Sequence, residues 1–499
     1  MTRKIQPSTQ AWHDAVVARV RGGGRFAGLF GDAADGEAHV IALVDADGRF
    51  EAIEAAVDES GGQLRYPSLT PEIEPAFWYE RAAHDLSGLV PVGHPRLDPL
   101  LLPLEQGSAR PQPGSVHVET DIASDPDTPG PVDVTGHGLF TLSFGPVRSG
   151  VFESIEFLIE TPGEDIPHLN IRPHFKHRGI AKRFEGLAPA DGVLVAERVE
   201  GVASVAHALA FSHAAEVAAG ITAPPRAQLV RVILAELERI ANHLEVAMRL
   251  SDSAGLAVAT SRFGWHKETA MRIMSRLTGS RFGRGVVLPG GVRADFAPIG
   301  TTILEELAML RRRIRNDATR VMRTPSFLDR LRGTGPLDDD YAARWALVGP
   351  LGRASGQRLD TRWDHPYDGY SSLPLPEAPA IDLDGDVRAR LRVRWQEVDV
   401  AFRLIQQAAA AITEEPDIAL VVEDGWQPSD GLWIGAAEAP QGEVLYAVSF
   451  HDGVVTRCFA RSASLHNLVA FHDAFRTDVF TDFPFIEASF GLSYAGVAM

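Results

Sequence analysis

Glu200, His207 and Asp252 are the side chains whose types come nearest to a chemical site. Two carboxylates and an imidazole suit a hard or borderline metal ion. Scattered as they are here, such groups more often close a polar network. The only thiol is Cys458, in the strand-like run Val454–Phe459, where it reads as an inert core residue. A single cysteine cannot supply a soft-metal tetrad, an iron–sulfur cluster or an intrachain disulfide. His243 reads as a satisfied histidine on an interior helix, and His207 and His213 as packing or interface residues among alanines. No nucleophile–base pair stands out. Gly22-Gly23-Gly24 lacks the strand and spacing of a dinucleotide fingerprint.

The elements that must position these groups fall into two unlike regions. Residues 1–104 mix short apolar runs with polar turns. His39–Val44 predicts a strand ended by Asp45-Ala46-Asp47-Gly48, and Phe50–Val57 predicts its hairpin return. Residues 105–138 are rich in Pro, Gly, Ser and Asp and read as a linker. Residues 139–499 open with the alternating strands Phe140–Phe144 and Ile155–Glu160. A long helical region follows. Its clearest helix opens at Thr222-Ala223-Pro224-Pro225 with Thr222 as the expected cap. Leu229, Val232, Ile233, Leu237, Ile240 and Leu244 make its apolar stripe, with Arg231, Glu238, Arg239 and Glu245 off it. Helices are also expected over 303–321 and 387–412, and short strands such as Val444–Val448 near the end. The fold class is therefore α+β.

A formal charge of −18 argues against nucleic acid and against a basic membrane-surface patch. The arginines between 311 and 315 read as a solvated helix face. No run approaches 18 apolar residues, so membrane attachment is expected through another subunit. The N-terminal residues carry no signal-peptide pattern.

Several motifs resemble known families. Glu80-Arg81 with Asp85-Leu86, Gly93-His94-Pro95 and Leu100-Leu101-Leu102-Pro103 resemble the end of the 30-kilodalton subunit of NADH:quinone oxidoreductase. His177-Arg178-Gly179-Ile180, Pro224–Gln228, Ile233–Leu244, Lys267-Glu268-Thr269, Leu277-Thr278-Gly279 and Glu438-Ala439-Pro440 follow in order. Together they resemble the nickel–iron hydrogenase large subunit and its relative, the 49-kilodalton subunit of NADH:quinone oxidoreductase. The fused arrangement is similar to group 4, formate hydrogenlyase-type large subunits.

That resemblance implies a metal pair held by four thiolates, and this chain departs from it. The four positions fall on Glu200, Ala203, Ser493 and Gly496. The family's proton-relaying Glu falls on Arg148, which stays protonated at neutral pH. The arginine facing the metal pair falls on Gln441. The quinone-binding His and Tyr of the 49-kilodalton relatives fall on Ser149 and Gly201, and the partner Asp falls on Ser253 beside Asp252. Arg198 and His243 match residues that face a partner's nearest iron–sulfur cluster.

The resemblance thus implies a catalytically degenerate large subunit in a hetero-oligomeric complex, peripheral on the cytoplasmic side of the inner membrane. It would dock an iron–sulfur small subunit, whose [4Fe-4S] cluster belongs to that partner, and couple to complex I-like membrane subunits. No cofactor is expected on this chain. The alternative is an active oxidoreductase subunit that reduces a quinone or another acceptor in a remodelled cavity. Its polar groups would be Arg148, Glu200, His207 and Asp252.

Overall fold

The computed structural model describes residues 2–34, 37–102, 138–148, 153–293, 299–415, 418–423 and 425–499. The expected linker lies outside the described residues except at Gly138. Strands β1 (Thr2–Gln6), β2 (Arg25–Ala34), β3 (Glu37–Ala46) and β4 (Arg49–Ala56) form one sheet in the order β1-β4-β3-β2, with β1 parallel to β4. The β3–β4 hairpin turns on Asp47-Gly48. Both have positive φ, as a two-residue turn of this hand requires. Helix α1 (Thr9–Arg21), capped by Ser8, covers one sheet face with Trp12, Val16 and Val17.

Helix α2 (Phe77–Ser87) carries the first family motif, and its charges are structural. Asp85 Oδ2 accepts from the Leu100 and Leu101 amides at 2.7 Å each, which anchors the Leu-Leu-Leu-Pro run. Arg81 donates to the Asp98 carbonyl at 2.7 Å. A second, antiparallel sheet joins β5 (Phe140–Phe144), β6 (Glu156–Thr161) and β7 (His168–Arg172) in the order β7-β6-β5.

The helical region is built on α3 (Ser204–Ala219), α4 (Pro225–Ser253), α5 (Ala257–Thr278), α6 (Thr301–Val321) and α7 (Val387–Glu414). α4 runs through its centre, packed by α5 and α7. The Thr222 cap is corrected: Pro224 holds the N-cap position without a side-chain bond, and Pro225, lacking an amide hydrogen, begins the helix. The stripe from Leu229 to Leu244 is buried as expected, but so are Arg231, Glu236 and Arg239. α4 has no solvated side along this stretch, because ion pairs replace water there.

The last sheet, β8 (Gly431–Ala439), β9 (Gly442–His451) and β10 (Val454–Arg461), lies between the N-terminal sheet and α3. Gly435 lets β8 touch α3, since a Cβ there would overlap the Ala210 carbonyl and Ala214. On its other face Leu432, Ile434, Leu445 and Ala447 meet Ala27, Phe30, Ile41 and Leu43. Arg25 crosses this interface to Glu443 at 2.8 Å. Burial pushes the Glu443 carboxyl up, but Arg25 and Arg461 outweigh it and hold its pKa down to about 2. Helix α8 (Phe483–Phe490) and the turn Tyr494–Ala498 bring the C-terminal segment back against α4 and the 198–203 loop.

Candidate functional site

The two loops that hold the thiolate positions converge, and protein groups fill the space between them. Arg178 clamps them: its guanidinium donates to the carbonyls of Arg198, at 3.0 Å, of Val199, and of Ala495, at 3.0 Å. His177 Nδ1 lies 2.6 Å from the Ala498 carbonyl. The His-Arg-Gly motif is therefore the brace between both loops.

Glu200 is fully buried inside that brace. A Cβ built on Gly496 would fall within the van der Waals radius of the Glu200 carboxylate. Ser464 Oγ donates to Glu200 Oε2 at 3.1 Å, and the Ser493 amide donates to Ser464 Oγ at 3.1 Å. Glu200 Oε1 lies 3.2 Å from His207 Nε2, and His207 Nδ1 lies 2.9 Å from the Tyr446 hydroxyl. A neutral imidazole satisfies both partners, donating to Glu200 and accepting from Tyr446. Ser493 Oγ donates instead to Glu153 Oε1 at 3.0 Å, and Glu153 Oε2 also takes the Tyr494 and Ala495 amides. Ala203 is buried and offers only a methyl group.

This donor set does not fit a nickel–iron pair. It comprises one carboxylate already bonded twice, a methyl, a hydroxyl committed to Glu153, and a glycine pressed against the carboxylate. None is a soft ligand. Glu200 and His207 are the candidates that meet. Arg148 lies elsewhere, over the rings of Phe144 and Phe157 at 4.8 and 5.0 Å, with its guanidinium donating to Glu487 Oε2 at 3.2 Å. Asp252 is exposed near the end of α4. It stands fourteen residues, about 21 Å of helix, beyond Glu238, which caps α3. It joins neither Glu200 nor His207. Arg198 is half-exposed on the outside of the loop, bonded to the Leu194 carbonyl. Ser149 lies outside the described residues. Gln441 is buried, and neither end of its amide finds a partner among the described residues.

His243 belongs to a second buried network. Its Nε2 lies 2.9 Å from Glu397, and burial pushes its pKa down to about 4. Arg353 bonds Glu397 at 2.6 Å, Glu438 at 3.0 Å and Asp360 at 3.1 Å. Arg362 bonds Asp360 and Glu236, and Arg239 bonds Glu236. Four carboxylates thus face three guanidiniums. Burial, then the neighbouring Asp360, pushes Glu438 up to about 7 against the pull of Arg353 and Arg362. The family-like runs around Glu236, Arg239 and Glu438 therefore tie α4, α7 and β8 together.

A cavity of about 450 Å³ opens beside the closed loops, between α4, α5 and α8. Met271, Met274, Phe471 and Phe490 make it apolar, and Glu153, Glu238, Asn242, Glu487 and Ser493 give it polar points. Sequence reasoning missed Glu153, Ser464, Tyr446 and Glu487, which stand in no motif. Glu238 and Asn242 stood inside one, but periodicity alone could not aim them at a cavity.

Glu238 accepts the amides of Val205 and Ala206 at 2.8 and 3.1 Å. Burial outweighs these bonds and pushes its carboxyl from 4.5 up to about 8. A carboxyl raised in the fold opposes folding increasingly as pH climbs through that window. Glu238→Gln should therefore lose less thermal stability than the parent between about pH 5 and 8.5, and parallel melting profiles would contradict this.

Comparison with known proteins places this arrangement in the class of hydrogenase-like large subunits. The family model for the 49 Kd subunit of respiratory-chain NADH dehydrogenase matches residues 257–420. That for its 30 Kd subunit matches 33–113, and that for nickel-dependent hydrogenase matches 178–250. Formate hydrogenlyase subunit 5 of Escherichia coli (strain K12) is 30% identical over 451 residues, covering 89% of this chain and 78% of that one. Hydrogenase-4 component G of the same organism is 28% identical over 466 residues, covering 91% and 77%. A chain from the membrane-bound sulfane sulfur reductase, an archaeal respiratory membrane complex, shares the fold. Its TM-score is 0.67 at 23% identity, covering 72% of this chain and 99% of that one. The chain belongs to the nickel–iron hydrogenase large-subunit and complex I 49-kilodalton family, in its formate hydrogenlyase-like form fused to a 30-kilodalton-type region.

Proposed function

We propose that this chain is a large subunit of a membrane-associated, complex I-related energy-converting complex that has given up hydrogen chemistry. It docks an iron–sulfur small subunit against the surface around Arg198 and the cavity mouth. It transmits electrostatic or conformational change toward ion-translocating membrane subunits. The observation that carries the reading is the closure of the former ligand loops by Glu200, Glu153 and Arg178, so that protein contacts hold what thiolates and metal would otherwise bridge. No helix among the described residues is long and apolar enough to cross a membrane, in keeping with attachment through other subunits. Metal analysis of the purified complex is the test. Iron at the stoichiometry of the partner's cluster, no nickel, and a melting temperature unmoved by chelator treatment of this chain are expected. One nickel per chain would end the proposal.

The cavity favours a second reading, in which a quinone or another largely apolar acceptor is reduced there. Electrons would come from the partner's cluster. Turnover with a quinone by the intact complex, lost when the cavity is filled by Met274→Trp and kept in a surface variant such as Arg403→Ala, would establish it. Absence of turnover with any acceptor leaves the first reading standing alone.

A further inference from the structure

The overall charge conceals a sharp local reversal. From Ala257 to Arg323, thirteen Lys and Arg stand against five Asp and Glu, a net of +8 in a chain of −18. Nearly all of this charge lies on α5 and α6 or in the stretch joining them, and the two helices pack antiparallel: Arg276 pairs with Glu306, and Arg262 with Asp317.

On α5 the helical repeat of about 100° per residue separates two faces. Lys267, Met271 and Met274 look into the cavity. Val258, Trp265, Arg272 and Arg276 share the opposite face and are exposed, Val258 and Arg272 by 74%. α6 continues this outer face with Met309, Arg312 and Arg320, and Arg323 follows just past its end. Arg313 lies over the Trp265 ring at 5.0 Å. Trp265 and Met309 remain 49% and 43% exposed.

All but one of the thirteen cations are arginine, whose planar fork matches carboxylates and whose enrichment with Trp marks protein interfaces. A lipid surface is served less well. Val258 stands alone at one end, Trp265 and Met309 are half-covered and interleaved with ion pairs, and the three do not form a continuous insertable stripe. An acidic partner would be repelled by most of this molecule and attracted by this one face, which would set its orientation.

We infer that the outer face of α5 and α6 docks a second, acidic protein subunit on the side of α5 away from the cavity. The inference rests on the reading of this chain as a subunit, and the contact is separate from the iron–sulfur partner at the cavity mouth.

The test uses the intact complex purified from its membrane. Arg272→Lys, Arg276→Lys and Arg320→Lys each install an amine. Zero-length carbodiimide coupling should then link those positions to Asp or Glu of a subunit other than the iron–sulfur one. In hydroxyl-radical footprinting Trp265 and Met309 should oxidise several-fold more slowly in the complex than in the free chain. Equal oxidation in both overturns the inference while leaving the subunit reading intact. So does protection that vanishes on delipidation without cross-links, since that marks a bilayer. A chain that purifies with no other subunit overturns both.

Discussion

Gly496→Ala should destabilise this protein by about 3 kcal/mol, the sum of overpacking and of bonds lost by a displaced buried carboxylate. The added methyl would overlap Glu200 Oε2, and that carboxylate is buried and hydrogen-bonded at both oxygens. Moving it breaks its contacts to Ser464 and His207 together. In a Glu200→Ala background the same methyl should cost less than about 1 kcal/mol, because the obstructing group is gone. Unfolding midpoints of the four proteins in the cycle measure the coupling. Strictly additive costs would mean that Glu200 does not fill the space beside Gly496. The result bears on function, since it would show that no side chain, a thiol included, fits at Gly496 while Glu200 remains. The residue types at positions 200 and 496 would then constrain one another.

Arg353→Met should cost more, about 3–5 kcal/mol, as expected when one partner of a buried ionic cluster is removed. The substitution leaves Glu397, Asp360 and Glu438 beside only Arg239 and Arg362. It should also invert part of the pH dependence. In the parent, burial opposes the ionised Glu397, but Arg353 and His243 prevail and hold its carboxyl well below 4.5. It therefore contributes stability above that value and loses it as pH falls. Without Arg353 the same carboxyl is raised, and the variant should gain stability as pH drops from about 8 to 5. Equilibrium unfolding across that range decides the matter. A uniform loss at every pH would argue that Arg353 acts by packing alone.

Much of the architecture was legible. His39–Val44 and Phe140–Phe144 lie in strands and 303–321 and 387–412 in helices as expected: an apolar run bounded by a turn marks the first, alternation the second, and the helical period the last two. The family motifs pointed to two loops that the fold brings together. What they do there was not legible. Arg231 and Arg239 looked like the wet side of a helix, and only the arrival of Glu216, Asp368 and Glu236 makes their burial affordable. Asp252 looked like a neighbour of Glu200 and is not one. The whole-chain charge argued against a basic membrane-surface patch, but it could not show that residues 257–323 carry a net positive charge, since a sum over 499 residues is blind to segregation.

By itself the sequence determined the chemistry this protein cannot do: one thiol, inside a strand, cannot furnish a four-thiolate centre in any conformation. It also determined the family, through motifs that occur in the family's order. Only the tertiary structure decided what stands between the two loops. Ser493 meets Glu153 across 340 positions of chain, and Ser464 meets Glu200 across 264. Contacts at such separations are set by how helices and sheets pack, and neither period nor spacing within a segment records them.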